Sequence, residues 1–148
     1  MISPELLRRY RCFATVSEPS LKSVAMIANE QSVPAGTVLF REGDPADALR
    51  ILVAGEVKVQ YTMGDAELRT VDTLIPGDLV GWSALVEPYK MTSVATASID
   101  TRLIAIEAAR LRELCDRDPL LGHRLLEQVA RLLADRLEGA RVQLAAAG

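Results

Sequence analysis

Pro76–Ala97 reads PGDLVGWSALVEPYKMTSVATA, and the fold is decided by how this stretch is read. Pro76-Gly77-Asp78 is a turn, and a second glycine, Gly81, follows it. Trp82-Ser83-Ala84-Leu85-Val86 is a short apolar segment, Pro88 breaks it, and a Thr-, Val- and Ala-rich strand resumes at Ser93. Glycine reaches backbone conformations closed to other residues and lets a ligand approach the main chain. A helical turn over Trp82–Val86 would leave its first N–H groups without internal partners, which makes a small anion site. The competing reading is an ordinary loop with two structural glycines, and the flanking sequence has to choose between them.

Working outward toward the N-terminus, Leu68–Ile75 reads as a strand and Met63-Gly64-Asp65-Ala66 as a hairpin turn. Glu56–Thr62 alternates, with Val57, Val59 and Tyr61 on one face, and Leu49–Val53 is an apolar strand before the Ala54-Gly55 turn. Glu42-Gly43-Asp44-Pro45 is another turn, and Ser32–Gly36 and Thr37–Phe40 are short strands. On the other side, Ser93–Ser98 and Arg102–Ile106 close the β region. Glycines 36, 43, 55, 64 and 77 fall 7 to 13 residues apart. Short strands punctuated at that spacing indicate an antiparallel sandwich or barrel.

Helices flank this region. Ser3-Pro4-Glu5 is a helix start, and Leu6, Leu7, Tyr10 and Phe13 continue it at helical spacing. A second helix is expected from Pro19-Ser20, carrying Leu21, Val24, Ala25, Ile27 and Ala28. Ala108, Leu111, Leu114 and Cys115 mark a third, and Asp118-Pro119 starts a fourth that runs to about Leu144. The expected layout is one domain: N-terminal helices over 1–30, β region over 31–106, C-terminal helices over 107–148.

Composition narrows the function classes. The chain has 148 residues, 49% hydrophobic and 25% charged, with a formal charge of −3 and no Lys/Arg run. That balance argues against a nucleic-acid-binding face, where phosphate neutralisation supplies most of the affinity. No apolar run approaches the ~18 residues of a membrane span, and the charged N-terminus lacks a signal-peptide core. Cys12 and Cys115 do not make a disulfide framework. A reduced, cytoplasmic protein without a cofactor is expected.

The order of these elements resembles the cyclic nucleotide-binding domain, the sensor module of the catabolite activator protein family. The resemblance rests on Gly36-Thr37-Val38-Leu39-Phe40-Arg41-Glu42-Gly43-Asp44, on Leu49–Val57, and on Pro76-Gly77-Asp78-Leu79-Val80-Gly81 with its following strand. It implies a double-stranded β-helix jelly roll with helices before and after. In that family a glutamate follows the glycine equivalent to Gly81 and holds the ribose; here that residue is Trp82. An arginine roughly ten residues later pairs with the cyclic phosphate through a charge-assisted fork, and here Met91 or Thr92 stands there. Each lost charged hydrogen bond removes about 1.5–3 kcal/mol, so the resemblance implies weak or absent cAMP and cGMP binding. The remaining ligand-binding candidates are Gly81, Trp82, Ser83, Ala84, Lys90, Thr92 and Ser93, directed at a small anionic or nucleotide-like ligand.

Two chemical readings are set aside. Gly81-Trp82-Ser83-Ala84-Leu85 is like a nucleophile elbow without its second glycine, and the chain's one histidine, His123, lies outside the β region. Metal-dependent jelly rolls need several histidines on inner strands. His123 is expected on a helix surface or dimer interface, and both cysteines as buried thiols.

The expected function is a non-catalytic sensor or regulatory module. The alternative is a ligand-free dimeric scaffold in which Trp82 fills the pocket and a partner protein is engaged. In the activator family a DNA-reading domain follows the long helix; here Ala145-Ala146-Ala147-Gly148 end the sequence, so no direct DNA contact is expected. Leu126, Ala130, Leu133, Leu137, Ala140 and Leu144 recur at spacings of 4, 3, 4, 3 and 4, the seam of a parallel homodimer. Leu121, Leu125, Val129 and Leu132 form a neighbouring stripe that can pack on the jelly roll.

Overall fold

The computed structural model describes residues 1–147. Two short N-terminal helices, α1 (Pro4–Arg8) and α2 (Glu18–Met26), flank a 3₁₀ turn over Arg11–Phe13. Proline occupies the first turn of each helix, and the Ser17 hydroxyl caps α2 by accepting from the Ser20 N–H at 3.4 Å. The apolar side of this segment, Leu7, Phe13, Leu21 and Val24, is fully buried.

Eight strands follow: β1 (Ala28–Val33), β2 (Val38–Phe40), β3 (Ala48–Ala54), β4 (Val57–Thr62), β5 (Leu68–Leu74), β6 (Leu79–Val80), β7 (Val94–Ala97) and β8 (Thr101–Glu107). They form two four-stranded antiparallel sheets, ordered β1-β8-β3-β6 and β2-β7-β4-β5. Chain neighbours such as β6 and β7 therefore lie in different sheets, which is the jelly roll expected from the glycine spacing. Between the sheets, Leu49, Ile51, Ile104 and Ile106 of one meet Val57, Val59, Leu74 and Ala95 of the other, all buried.

Gly55 shows why the turns need their glycines. Its φ is +106°, and a Cβ there would stand 2.4 Å from Thr101 Oγ1 and 2.7 Å from the Asp100 carbonyl. The Thr101 hydroxyl accepts from the Glu56 N–H at 3.3 Å and the Ser98 N–H donates to the Glu56 carbonyl at 3.0 Å, so the β3–β4 and β7–β8 turns are locked together.

Several details differ from expectation, the first being that α1 stops at Arg8, so that Tyr10 precedes the 3₁₀ turn and Phe13 sits in it. Ala28, assigned above to the second helix, is instead the first residue of β1: paired with Ile106, it is fully buried, and edge pairing to β8 overrides the helical run. Tyr61 keeps the face of Val57 and Val59 but lies past the buried core. The register slips between Val59 and Gln60, so the β4–β5 hairpin twists beyond the core and Tyr61 is exposed.

Helix α3 (Ala108–Arg117) packs Ala108 and Leu111 on the sheets, and α4 (Pro119–Ala147) returns as a 29-residue rod. Asp118 organises its start. Oδ1 accepts from the Leu121 N–H at 3.3 Å, and Oδ2 accepts from the Ser20 hydroxyl, tying α4 to α2. Leu121, Leu125 and Val129 face the core, whereas Leu126, Leu137 and Leu144 are exposed. Leu133 departs from the expected outward seam: it is partly buried and packs against the core.

Candidate functional site

The site is built around Gly81. Its φ of +85° is a left-handed conformation that favours glycine, and a Cβ there would come within 3.2 Å of Met91 Cε and 3.3 Å of the Ala48 carbonyl. The chain then enters a four-residue 3₁₀ turn, Trp82–Leu85. Of the N–H groups expected to face an anion, that of Ala84 is already bonded to the Gly81 carbonyl at 3.1 Å. Ala84 itself is buried, and its carbonyl accepts from Arg112 Nη1 at 2.7 Å.

Beyond the turn, the chain is strapped to the Glu42–Pro45 loop. The Met91 N–H donates to the Asp44 carbonyl at 2.8 Å, the Gly43 N–H to the Met91 carbonyl at 2.8 Å, and the Ala46 N–H to the Tyr89 carbonyl at 2.8 Å. Lys90 bridges Pro45 on this strap, is exposed, and does not line the cavity next to Gly81.

That cavity lies between β4, β5, β6 and the start of β7. Its volume is about 10 Å³, room for a single water. Small-molecule pockets occupy about 300–1,000 Å³. Phe40, Trp82 and Met91 make it small, and Gly81, Ser83, Thr92 and Ser93 line it as expected. Ser83 and Ser93 are buried, and among the described residues the hydroxyls of Ser83, Thr92 and Ser93 make no hydrogen bond.

Arg136 of α4 also lines this cavity, a residue that sequence reasoning missed. Its Nε donates to Asp72 Oδ2 at 2.9 Å, and the two side chains are 21% and 34% exposed. Both residues left a trace in the sequence. Arg136 continues the core-facing stripe Leu125, Val129, Leu132 at the next helical position, where an apolar residue would be ordinary. Asp72 lies two residues before buried Leu74 on β5, hence on the same face. Outside the pair opens a groove of about 700 Å³ between β5 and α4, bordered by Tyr61, Val71, Leu137 and Gln143. Arg136 and Leu74 line both the groove and the small cavity.

The cysteines lie elsewhere and carry no nucleophile. Burial pushes the Cys12 thiol up to about 12, and burial followed by Asp116 and Asp118 pushes Cys115 up to about 11. Both therefore stay protonated at neutral pH. His123 is exposed on α4, 3.9 Å from Glu127.

Arg112 is the outer brace of the site. Besides its bond to Ala84, its guanidinium stacks over the Tyr89 ring at 4.1 Å from the centroid, and Tyr89 holds a left-handed φ of 58°. A charged hydrogen bond contributes about 1.5–3 kcal/mol and a cation–π contact about 0.5–1 kcal/mol at partly exposed sites. Arg112→Met is expected to lower stability by about 1–3 kcal/mol, read in urea unfolding. Amide exchange should accelerate at Ala84–Met91 ahead of the sheets; uniform acceleration across the chain would contradict this local brace.

Comparison with known proteins places this geometry. The family model of the cyclic nucleotide-binding domain matches residues 30–118. A CRP-like cAMP-activated global transcriptional regulator of Mycobacterium tuberculosis is 28% identical over 129 residues, 87% of this chain and 58% of that protein. The cyclic AMP receptor protein of Thermus thermophilus is 34% identical over 111 residues, 75% of this chain and 50% of that protein. A crystal structure from Geobacter metallireducens, described as a candidate cyclic nucleotide-binding protein, superposes with a TM-score of 0.84 at 41% identity, covering 93% of this chain and 99% of that one. The chain thus spans about half the length of the curated relatives it matches.

One expectation is corrected by these relatives. The exclusion of nucleic acid as a partner, argued from net charge and from the last residues of the sequence, does not stand, because the M. tuberculosis relative is a transcriptional regulator. The charge of a sensing region does not report what the rest of such a regulator contacts. Gly36–Asp44, Leu49–Val57 and Pro76–Gly81 fall on the turns and strands that frame the pocket, and the chain belongs to the cyclic nucleotide-binding domain family.

Proposed function

We propose that this chain is a non-catalytic sensing unit whose re-lined pocket takes a small phosphate-bearing or other anionic, nucleotide-like ligand. cAMP and cGMP are not held in the family's usual manner. The observation that carries the reading is the lining beside Gly81. Trp82 stands where the resemblance expects glutamate and Met91 or Thr92 where it expects arginine, yet Ser83, Thr92, Ser93 and Arg136 still line one cavity. Convergent, unpartnered polar groups next to an apolar wall are what orient a ligand in such a site. The protein acts in the cytoplasm, and among the described residues no helix is long and apolar enough to cross a membrane.

A second reading has its own support. The cavity holds about 10 Å³, and a ring such as Trp82 placed there suits a domain that works as a ligand-free scaffold. Thermal melting with a panel of nucleotides and phosphate esters separates the two, since a ligand specific for the native state must raise the midpoint. The sensor reading expects at least one compound to raise the melting temperature by roughly 5–10 °C at a hundredfold excess over its dissociation constant. A panel without any shift favours the scaffold.

Both readings include a parallel homodimer along the outward face of α4. Leu126, Leu137 and Leu144 are 49%, 65% and 76% exposed, and Ala130 and Ala140 between them permit close helix approach. The occupant that fits is a second copy, because the repeat is self-complementary at heptad spacing. Leu133 is left out of the test because it packs on the core. Leu126→Glu with Leu137→Glu is expected to give a folded monomer in light scattering, and a wild type that is already monomeric at high micromolar concentration would refute the dimer.

A further inference from the structure

We propose that Arg136 is the residue that grips the ligand's anion, and that Asp72 is the counter-charge the anion displaces. This deepens the sensor reading and rests on it.

Arginine binds phosphate through pairs of parallel N–H donors along the edges of its planar fork. In Arg136 only Nε is engaged, at 2.9 Å from Asp72 Oδ2. Among the described residues neither Nη group has a hydrogen-bond partner, and neither is sealed from solvent. The guanidinium thus presents its outer edge, with two amino groups, to the boundary between the small cavity and the 700 Å³ groove.

Other donors line the same cavity. Ser83 and Ser93 are 4% and 8% exposed, and their hydroxyls have no partner among the described residues. These hydroxyls and the guanidinium line one cavity without protein partners, among the described residues, for the hydroxyls or the Nη groups. The room for a phosphate lies where that cavity meets the groove, against the free edge of Arg136. The position of the family's arginine falls here on Met91 or Thr92, neither of them a cation, so the cation reaches the pocket from the long helix instead.

Asp72 makes the arrangement competitive. A phosphate seated on Arg136 would place like charges within a few ångströms in a partly dry site, where such repulsion is costly. Asp72 must therefore yield its bond when the anion arrives. That exchange loosens the tie between β5 and α4, the helix whose outer face carries the dimer seam.

The chain's one tryptophan is Trp82, and it lines the cavity, so its fluorescence reports occupancy directly. The experiment is a titration of the full chain with inorganic phosphate at constant ionic strength. Wild type should show a saturable change in emission. Arg136→Gln should weaken the apparent affinity at least tenfold, Arg136→Lys should recover part of it, and Asp72→Asn should tighten it about tenfold. Arg131→Gln, the same charge change elsewhere on α4, should leave it unaltered; circular dichroism confirms that each variant is folded. Equal affinity of wild type and a folded Arg136→Gln overturns the inference while leaving the sensor reading intact. Weaker binding by Asp72→Asn removes the competing role of Asp72, and silence from every variant overturns the inference outright. The melting panel then decides the sensor reading on its own.

Discussion

Gly81 is the constraint on which the site depends. Its left-handed backbone turns the chain between β6 in one sheet and the segment leading to β7 in the other, pressed between Met91, Phe40 and the Ala48 carbonyl. A side chain there would be strained by the left-handed φ and would crowd the Ala48 carbonyl, so glycine suits the crossover between sheets. The turn fixes where Trp82 and Ser83 enter, and the strap from Tyr89 to Met91 against the Asp44–Ala46 backbone closes the loop behind them. What remains between is nearly dry. Closure comes from packing, since Phe40, Trp82 and Met91 fill volume that smaller or polar residues would leave open.

Two arginines connect this rigid turn to the C-terminal helices in different ways. Arg112 holds the outside, bonding the Ala84 carbonyl and stacking on Tyr89, and neither contact changes if the cavity fills. Arg136 reaches the inside and is paired with a carboxylate on β5, the bond that the proposed anion would replace. Helix α4 therefore meets the pocket through Arg136, with Leu137 bordering the adjoining groove and Leu126 and Leu144 exposed. Arg136 sits within a single helix of 29 residues.

Much of the fold was legible because glycine and proline act locally. The turns at Gly36, Gly43, Gly55 and Gly77 carry positive φ, and the Asp118-Pro119 helix start holds by the cap seen at Leu121. The two-residue strand β6 was not legible, since Leu79-Val80 is too short to show any period and is defined only by pairing with Arg50 and Ile51. The misplaced Ala28 belongs to the same kind: strand pairing to Ile106 decided it, and that partner is 78 residues away (106 − 28). In the site, the residues that sequence reasoning gathered were those within one stretch, Gly81 to Ser93. Arg136 and Asp72 escaped because their meeting depends on how α4 crosses the β4–β5 hairpin. Lys90 was gathered only for being nearby in sequence, and its strand pairing with Pro45 leaves it exposed on the outer strap.

The central claim is that the pocket keeps the family's frame and has lost its means of holding a cyclic nucleotide. Calorimetric titration of the full chain with cAMP at neutral pH tests it most directly. The proposed function predicts no binding, or a dissociation constant far weaker than micromolar, because Trp82 and Met91 or Thr92 stand where the family resemblance expects the ribose and phosphate partners. A low-micromolar or tighter dissociation constant would contradict it.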